Sequence, residues 1–306
     1  AVKVQPVVHR TPIVCARSLD ALVGAPLYLK AENLQRAGSF KIRGAYNKIS
    51  RLPPETRRRG VVSYSSGNHA QGVALAASLV GVPATIVVPE TIVASKRAAA
   101  EAYGASLVVA GTTSAHRQLR AEALASERGL AIVPPYDDPA IVAGQGTVAL
   151  ELLEDVPDID TLVVPIGGGG LMAGCAVLAR AWRPGMRIIG VEPLDADDTL
   201  RSLQAGHRVR IPPPRTIADG LRAVEPGELT FDVVKHLVDE VVLVSDAEIR
   251  HAMRLLLERT KLLVEPSGVV ALAAVLARRF PAAGRRLGVV LSGGNIEIDA
   301  LGELLG

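Results

Sequence analysis

The sequence predicts an α/β protein of two lobes, each with an open, mostly parallel sheet flanked by helices. Three observations predict it. Short apolar runs alternate with longer amphipathic stretches, the rhythm of βα units. Hydrophobic residues make up 49% of the chain and aromatic ones only 3%, which leaves Val, Leu, Ile and Ala to fill the core and suits strands buried on both faces. Three glycine-containing turns close predicted strands at their carboxyl ends, where sheets of this kind bind ligands. A chain of 306 residues is long enough for two cores.

In chain order, Val61–Tyr64 reads as a strand, Asn68–Leu79 as an Ala-rich helix, Ala84–Val88 as a strand and Val93–Tyr103 as a helix. Leu107–Ala110 is a strand, Ser114–Arg128 a helix and Ala131–Val133 a strand, which completes a small lobe. A second series follows. Gly146–Glu154 reads as a helix, Thr161–Ile166 as a buried strand, and Gly167–Gly170 as a turn opening another helix. Arg187–Glu192 and Val241–Val244 are strands, Asp246–Arg259 and Ser267–Arg278 helices, and Leu287–Leu291 the last strand. The three turns are Ser65–Asn68, Gly167–Gly170 and Ser292–Asn295.

Composition excludes several functions. The formal net charge is +3 and the pI near 9.0, but the basic residues are dispersed. Arg57-Arg58-Arg59 sits beside Pro53, Pro54 and Glu55, as a solvated loop or helix end would, with no aromatic residue interleaved. No nucleic-acid partner is expected. Cys15 and Cys175 lie far apart without metal-ligand spacing and read as free thiols in a reducing compartment. No signal peptide is expected, and no apolar run reaches about 18 residues. A cytoplasmic protein with no membrane partner is expected.

Four successive glycines after an apolar strand let backbone N–H groups converge on a ligand, with a helix N-terminus behind them. A phosphate is the natural guest, although a tight turn without ligand uses the same residues. The run is neither a Walker loop nor a dinucleotide fingerprint. Lysine is scarce, and Lys41 stands among small and apolar neighbours in Gly38-Ser39-Phe40-Lys41-Ile42-Arg43-Gly44-Ala45. Burial lowers a lysine pKa and frees the amine for Schiff-base chemistry. A surface lysine opening a helix is the alternative.

Ser39–Ala45, Ser65-Ser66-Gly67-Asn68-His69-Ala70-Gln71-Gly72, Gly167–Leu171 and Ser292-Gly293-Gly294-Asn295 occur in that order. From about His9 to Asn295 the chain resembles the fold-type II pyridoxal-phosphate enzymes (tryptophan-synthase-β-like), in the branch of threonine/serine dehydratases and serine racemase. The resemblance implies an active site in the cleft between a large domain, residues 1–49 plus 138–306, and a small domain, residues 50–137. It implies that Lys41 bonds pyridoxal 5'-phosphate, Phe40 packs on its ring, and Asn68 hydrogen-bonds the ring hydroxyl. Gly167, Gly168, Gly169, Gly170 and Leu171 would cradle the phosphate, and Ser292 would meet the pyridine nitrogen. A serine there makes the ring a weaker electron sink than a carboxylate would. Ser65, Ser66, Gly67 and His69 would receive the substrate carboxylate at a helix start. Cysteine synthases and other β-replacement enzymes of this fold usually carry Thr where this chain has His69.

The implied activity is α,β-elimination from L-threonine or L-serine to a 2-oxo acid and ammonia, by a homodimer or homotetramer. Two related activities stay open: serine racemase, which shares Ser66 as a proton donor opposite the lysine, and 3-hydroxyaspartate dehydratase. Arg117 matches a racemase arginine near the substrate hydroxyl, or is an exposed helix arginine. The run Glu192-Pro193-Leu194-Asp195-Ala196-Asp197-Asp198 is a solvated acidic turn or, as in metal-binding members of the family, a Mg²⁺, Mn²⁺ or Ca²⁺ site through Glu192, the Ala196 carbonyl and Asp198. A different class is a non-catalytic phosphate or nucleotide binder, which would lack the violet absorption of a lysine-bound cofactor. No regulatory domain is expected after the last strand, and hence no feedback inhibition by isoleucine.

Overall fold

The computed structural model describes residues 4–92 and 94–305. The chain begins with β1 (Ile13–Val14), α1 (Arg17–Val23), β2 (Leu27–Ala31), α2 (Lys41–Ile49) and α3 (Pro54–Arg59). Next come β3 (Val61–Tyr64), α4 (Asn68–Val80), β4 (Ala84–Val88), α5 (Ala94–Ala102), β5 (Ser106–Val109), α6 (Ser114–Arg128) and β6 (Ala131–Ile132). The predicted helix start at Val93 lies outside the described residues. Two helices, α7 (Pro139–Gln145) and α8 (Thr147–Asp155), lead to β7 (Thr161–Pro165), α9 (Gly170–Trp182), β8 (Arg187–Pro193), α10 (Asp198–Ala205) and α11 (Glu228–Leu237). The chain closes with β9 (Glu240–Val244), α12 (Asp246–Thr260), α13 (Pro266–Leu276), β10 (Leu287–Leu291) and α14 (Leu301–Leu305).

Two sheets form. The smaller is parallel throughout, in the order β5-β4-β3-β6. The larger has the order β1-β2-β10-β7-β8-β9, parallel except where β1 pairs with β2. Every residue of β7 and β10 is buried, as expected for central parallel strands covered on both faces. Strand order reverses beside β3 in the small sheet and between β10 and β7 in the large one. The loops after β3, β7 and β10 therefore open at crevices, the places where such sheets bind ligands.

Strands β3 to β6 form the small sheet and the remaining strands the large one, but the apolar clusters do not divide the same way. Ile42, Ala45 and Ile49 of α2, with Val4, Val8 and Ile141, share a core with Val61, Val73 and Ile86 of the small lobe. The cause is local. α2 lies across α4 at Gly72, where a Cβ would stand 3.0 Å from the Lys41 carbonyl carbon and 3.1 Å from the Ile42 nitrogen. That close crossing sets the start of α2 against the small lobe, while the segment before it is tied to the large one. Among the described residues, no helix is long and apolar enough to cross a membrane.

Candidate active site

A cavity of about 540 Å³ opens between the lobes, within the range of small-molecule sites. Lys41 enters it from the first turn of α2. The preceding residues are fastened to the β10 loop: Ser39 bridges Gly293, and the Phe40 N–H donates to the Ser292 carbonyl at 3.2 Å. Two residues on, the buried Arg43 guanidinium meets Glu32 at 2.7 Å and Glu151 at 2.6 Å, and Glu151 also takes Lys30 at 2.7 Å. Removing one partner from such a cluster leaves a buried charge uncompensated, so it holds α2 rigidly. Lys41 Nζ donates to the Pro135 carbonyl at 2.8 Å and lies 5.1 Å from the Phe40 ring centre. Burial lowers its pKa to about 8, against an opposing pull from Glu265. An amine so placed is a nucleophile at mildly alkaline pH.

The turn after β7 faces the same cavity through Gly167, Gly168, Gly169, Gly170 and Leu171. It admits no side chains. A Cβ at Gly168 would stand 2.2 Å from the Tyr136 ring, and Gly169, at φ +88°, would meet Thr230 at 2.8 Å. Thr230 Oγ1 donates to the Gly168 carbonyl at 2.7 Å. The turn is held from behind, and α9 presents its N-terminus to the cavity.

From the small lobe come Ser65, Ser66, Gly67 and Asn68, in the loop that opens α4. His69 Nε2 donates to the Val133 carbonyl at 3.0 Å, while Nδ1 has no partner among the described residues. Burial first, then Lys41, pushes its pKa down to about 3, so the imidazole stays neutral. Arg117 also reaches the cavity and is largely buried, not the exposed helix arginine of the alternative reading. Its guanidinium donates to Ser114 Oγ at 2.9 Å and, more weakly, to the Thr112 carbonyl at 3.4 Å. Its Nε has no partner, and no carboxylate pairs with it among the described residues.

Ser292 closes the far wall, its Oγ 3.5 Å from the Ser267 carbonyl. The predicted cofactor and substrate residues thus line one cavity, whereas Glu192, Ala196 and Asp198 lie outside it. Among the cavity residues that escaped the motif reading are Tyr136, which backs the glycine turn, and the acidic Glu265 and Asp219.

A family model described as pyridoxal-phosphate dependent enzyme matches residues 4–293. The chain belongs to this family. It is 44% identical over 303 residues to an L-threo-3-hydroxyaspartate ammonia-lyase of Saccharomyces cerevisiae, covering 99% of this chain and 93% of that protein. It is 43% identical to an L-threonine ammonia-lyase of Thermotoga maritima, covering 98% of this chain and 74% of that protein. A solved serine racemase from maize superposes with a TM-score of 0.95 at 44% identity, covering 99% of this chain and 93% of that one. The chain is therefore a pyridoxal-phosphate-dependent member of an ammonia-lyase and racemase group.

The cavity fits that cofactor. A turn with no room for Cβ atoms, at a helix N-terminus, suits the phosphate, and a desolvated lysine amine suits the aldehyde. The acidic run has separate chemistry. Glu192, one residue before the end of β8, is fully buried, with Oε1 accepting the Thr199 N–H at 3.0 Å and Oε2 the Leu200 N–H at 2.9 Å. Asp198 opens α10 fully buried, and neither of its carboxylate oxygens has a partner among the described residues. Burial raises both carboxyls well above the usual range, and Glu192 raises Asp198 further. Among the described residues no cluster of three His, Cys, Asp or Glu side chains surrounds a metal position. Two carboxylates and a backbone carbonyl are what the loop offers.

Proposed function

We propose that the chain is an L-threonine/L-serine ammonia-lyase. The observation that carries this reading is the meeting of the Lys41 amine, the glycine cradle and the Ser65–Asn68 anion loop in one cavity. In this reading Gly167–Leu171 hold the cofactor phosphate, Phe40 packs on the ring, and Asn68 and Ser292 meet its polar edges. Bound pyridoxal phosphate supplies an electron sink that acidifies the α-C–H of the substrate amine joined to it. The N–H groups of Ser65–Asn68 hold the substrate carboxylate, and neutral His69 adds no charge there. Lys41 Nζ takes the α-proton, and Ser66 Oγ serves as the second proton carrier. Net loss is one ammonia per substrate: water leaves the β-carbon and one water returns when the imine product hydrolyses to the 2-oxo acid. The test is a panel of L-threonine, L-serine and L-threo-3-hydroxyaspartate scored for ammonia, 2-oxo acid and D-amino acid. The reading expects ammonia from threonine and serine to outpace D-amino acid. Racemisation of L-serine faster than ammonia release would overturn it.

One observation favours a second reading. A buried guanidinium on the cavity wall without a carboxylate partner suits a substrate that brings its own second carboxylate, such as 3-hydroxyaspartate. If so, Arg117→Leu lowers kcat/KM for 3-hydroxyaspartate by about 10- to 100-fold, the loss of a charge-assisted hydrogen bond, while threonine changes far less. Equal losses for both substrates would remove this role.

We also propose that Glu192, Asp198 and the Ala196 carbonyl hold Mg²⁺, Mn²⁺ or Ca²⁺, with waters completing the shell. The partnerless oxygens of Asp198 support it. A cation bound at a hundred times its dissociation constant stabilises the fold by about 2.7 kcal/mol, so chelation is expected to lower Tm by several degrees. Glu192→Gln should abolish both the bound metal and the chelator effect. Unchanged metal content in that variant would place the ion elsewhere.

A further inference from the structure

Asn68 sits in a chain of polar contacts that crosses the cleft. Asn295 Nδ2 donates to the Ala37 carbonyl at 2.8 Å, which fixes the orientation of the Asn295 amide, since a carbonyl can only accept. The same Nδ2 donates at 2.8 Å to Asn68 Oδ1. With its oxygen so committed, Asn68 must turn its NH₂ the other way, and Nδ2 donates to Glu265 Oε1 at 2.6 Å. One N–H of that amide is left for the cavity that Asn68 lines. Asn68 opens α4 on the small lobe, while Glu265 directly precedes α13 and Asn295 follows β10 on the large one.

Glu265 is itself held in place. Its N–H donates to the Gly293 carbonyl at 3.1 Å, and its carbonyl accepts the Gly268 N–H at 2.8 Å. A Cβ at Gly293 would stand 2.2 Å from Glu265 Oε1 and 3.1 Å from Asn68 Nδ2, so this glycine leaves the gap through which the two side chains meet. Burial drives the Glu265 carboxyl up to about 8, Asp219 adds to the rise, and Asn68, Lys96 and Lys41 pull it back.

We infer that Glu265 is a positioning residue: with Asn295 it locks the Asn68 amide in one orientation, so that a single N–H donor is aimed at the cofactor. The inference rests on the cofactor roles proposed above. A free amide would spend part of its time presenting oxygen to an oxygen, which is repulsive. Locking the amide removes that state and the entropy of finding the right one.

The test titrates purified apo protein with pyridoxal phosphate, following the visible absorption of the lysine-bound cofactor. Glu265→Ala is expected to weaken cofactor binding about tenfold, the upper end of what one buried hydrogen bond contributes, and to shift the absorption band. Glu265→Gln keeps an acceptor oxygen and should restore both. On an Asn68→Ala background, Glu265→Ala should add no further loss, because the group it orients is gone. Asn295→Ala provides an independent arm, with the same weakening and the same dependence on Asn68. Wild-type affinity and spectrum in both alanine variants would overturn the inference, as would losses that simply add to those of Asn68→Ala. A wild-type protein that neither binds the cofactor nor gains colour defeats the cofactor assignment itself.

Discussion

Replacing Lys41 by alanine is expected to slow ammonia release from L-threonine by about 10³-fold or more, since one group supplies both the covalent attachment and the α-proton transfer. The fold should survive, because Lys41 contributes one hydrogen bond, to the Pro135 carbonyl. The variant should still bind the cofactor through the glycine cradle, but without the colour of a lysine adduct. A pH signature accompanies this role. Only the neutral amine attacks an aldehyde, and burial lowers the Lys41 pKa to about 8. Capture of pyridoxal phosphate by apo protein should therefore quicken as pH rises to about 8 and level off above it. An ordinary lysine would keep accelerating towards about 10.4. Stopped-flow absorbance on wild type and Lys41→Ala measures both effects, and a variant with near-normal turnover would remove Lys41 from the chemistry.

Gly168→Ala should weaken the site by a different route. A Cβ there would lie 2.2 Å from two carbons of the Tyr136 ring, so either the ring or the turn must move. Overpacking of this kind costs about 1–3 kcal/mol. Because the strained turn is the phosphate cradle, the loss should appear as about 10- to 100-fold weaker cofactor binding. Gly185 provides the control. A Cβ there meets nothing within 4 Å, so Gly185→Ala should bind the cofactor as wild type does. Equal affinity in both variants would show that the turn does not grip the phosphate.

Much of this architecture was legible because central parallel strands leave a plain mark. Val61–Tyr64, Ala84–Val88 and Leu287–Leu291 are apolar runs bounded by turn residues, and the structure places strands at the same bounds. The four motifs were legible for a related reason, since each adjoins a strand end or a helix start. α7 escaped, although its signal was present. Asp138 caps it by accepting from Ala140 and Ile141, and Pro139 stands at its first position. β1 escaped because an edge strand of two residues has no measurable period.

The site was less legible where its parts meet across the fold. Asn68 and Glu265 are 197 residues apart, and no local pattern around Glu265 marks it as anything but a residue before a helix-opening proline. From sequence Arg117 read more readily as an exposed helix arginine, because burial on one face of α6 depends on the strands β3 and β4 that it packs against. In the acidic run, composition suggested carboxylates. Only the fold distinguishes fully buried Glu192 and Asp198 from the exposed Asp195 beside them.

In the proposed reading this cavity holds pyridoxal phosphate on Lys41. Borohydride reduction of the cofactor-loaded protein, followed by peptide mapping, tests it most directly. The pyridoxyl mass is predicted on the peptide containing Ser39-Phe40-Lys41, in about one copy per chain, and it should vanish from Lys41→Ala. A label found on Lys30, Lys96 or any other lysine, or one that persists in Lys41→Ala, would contradict the account.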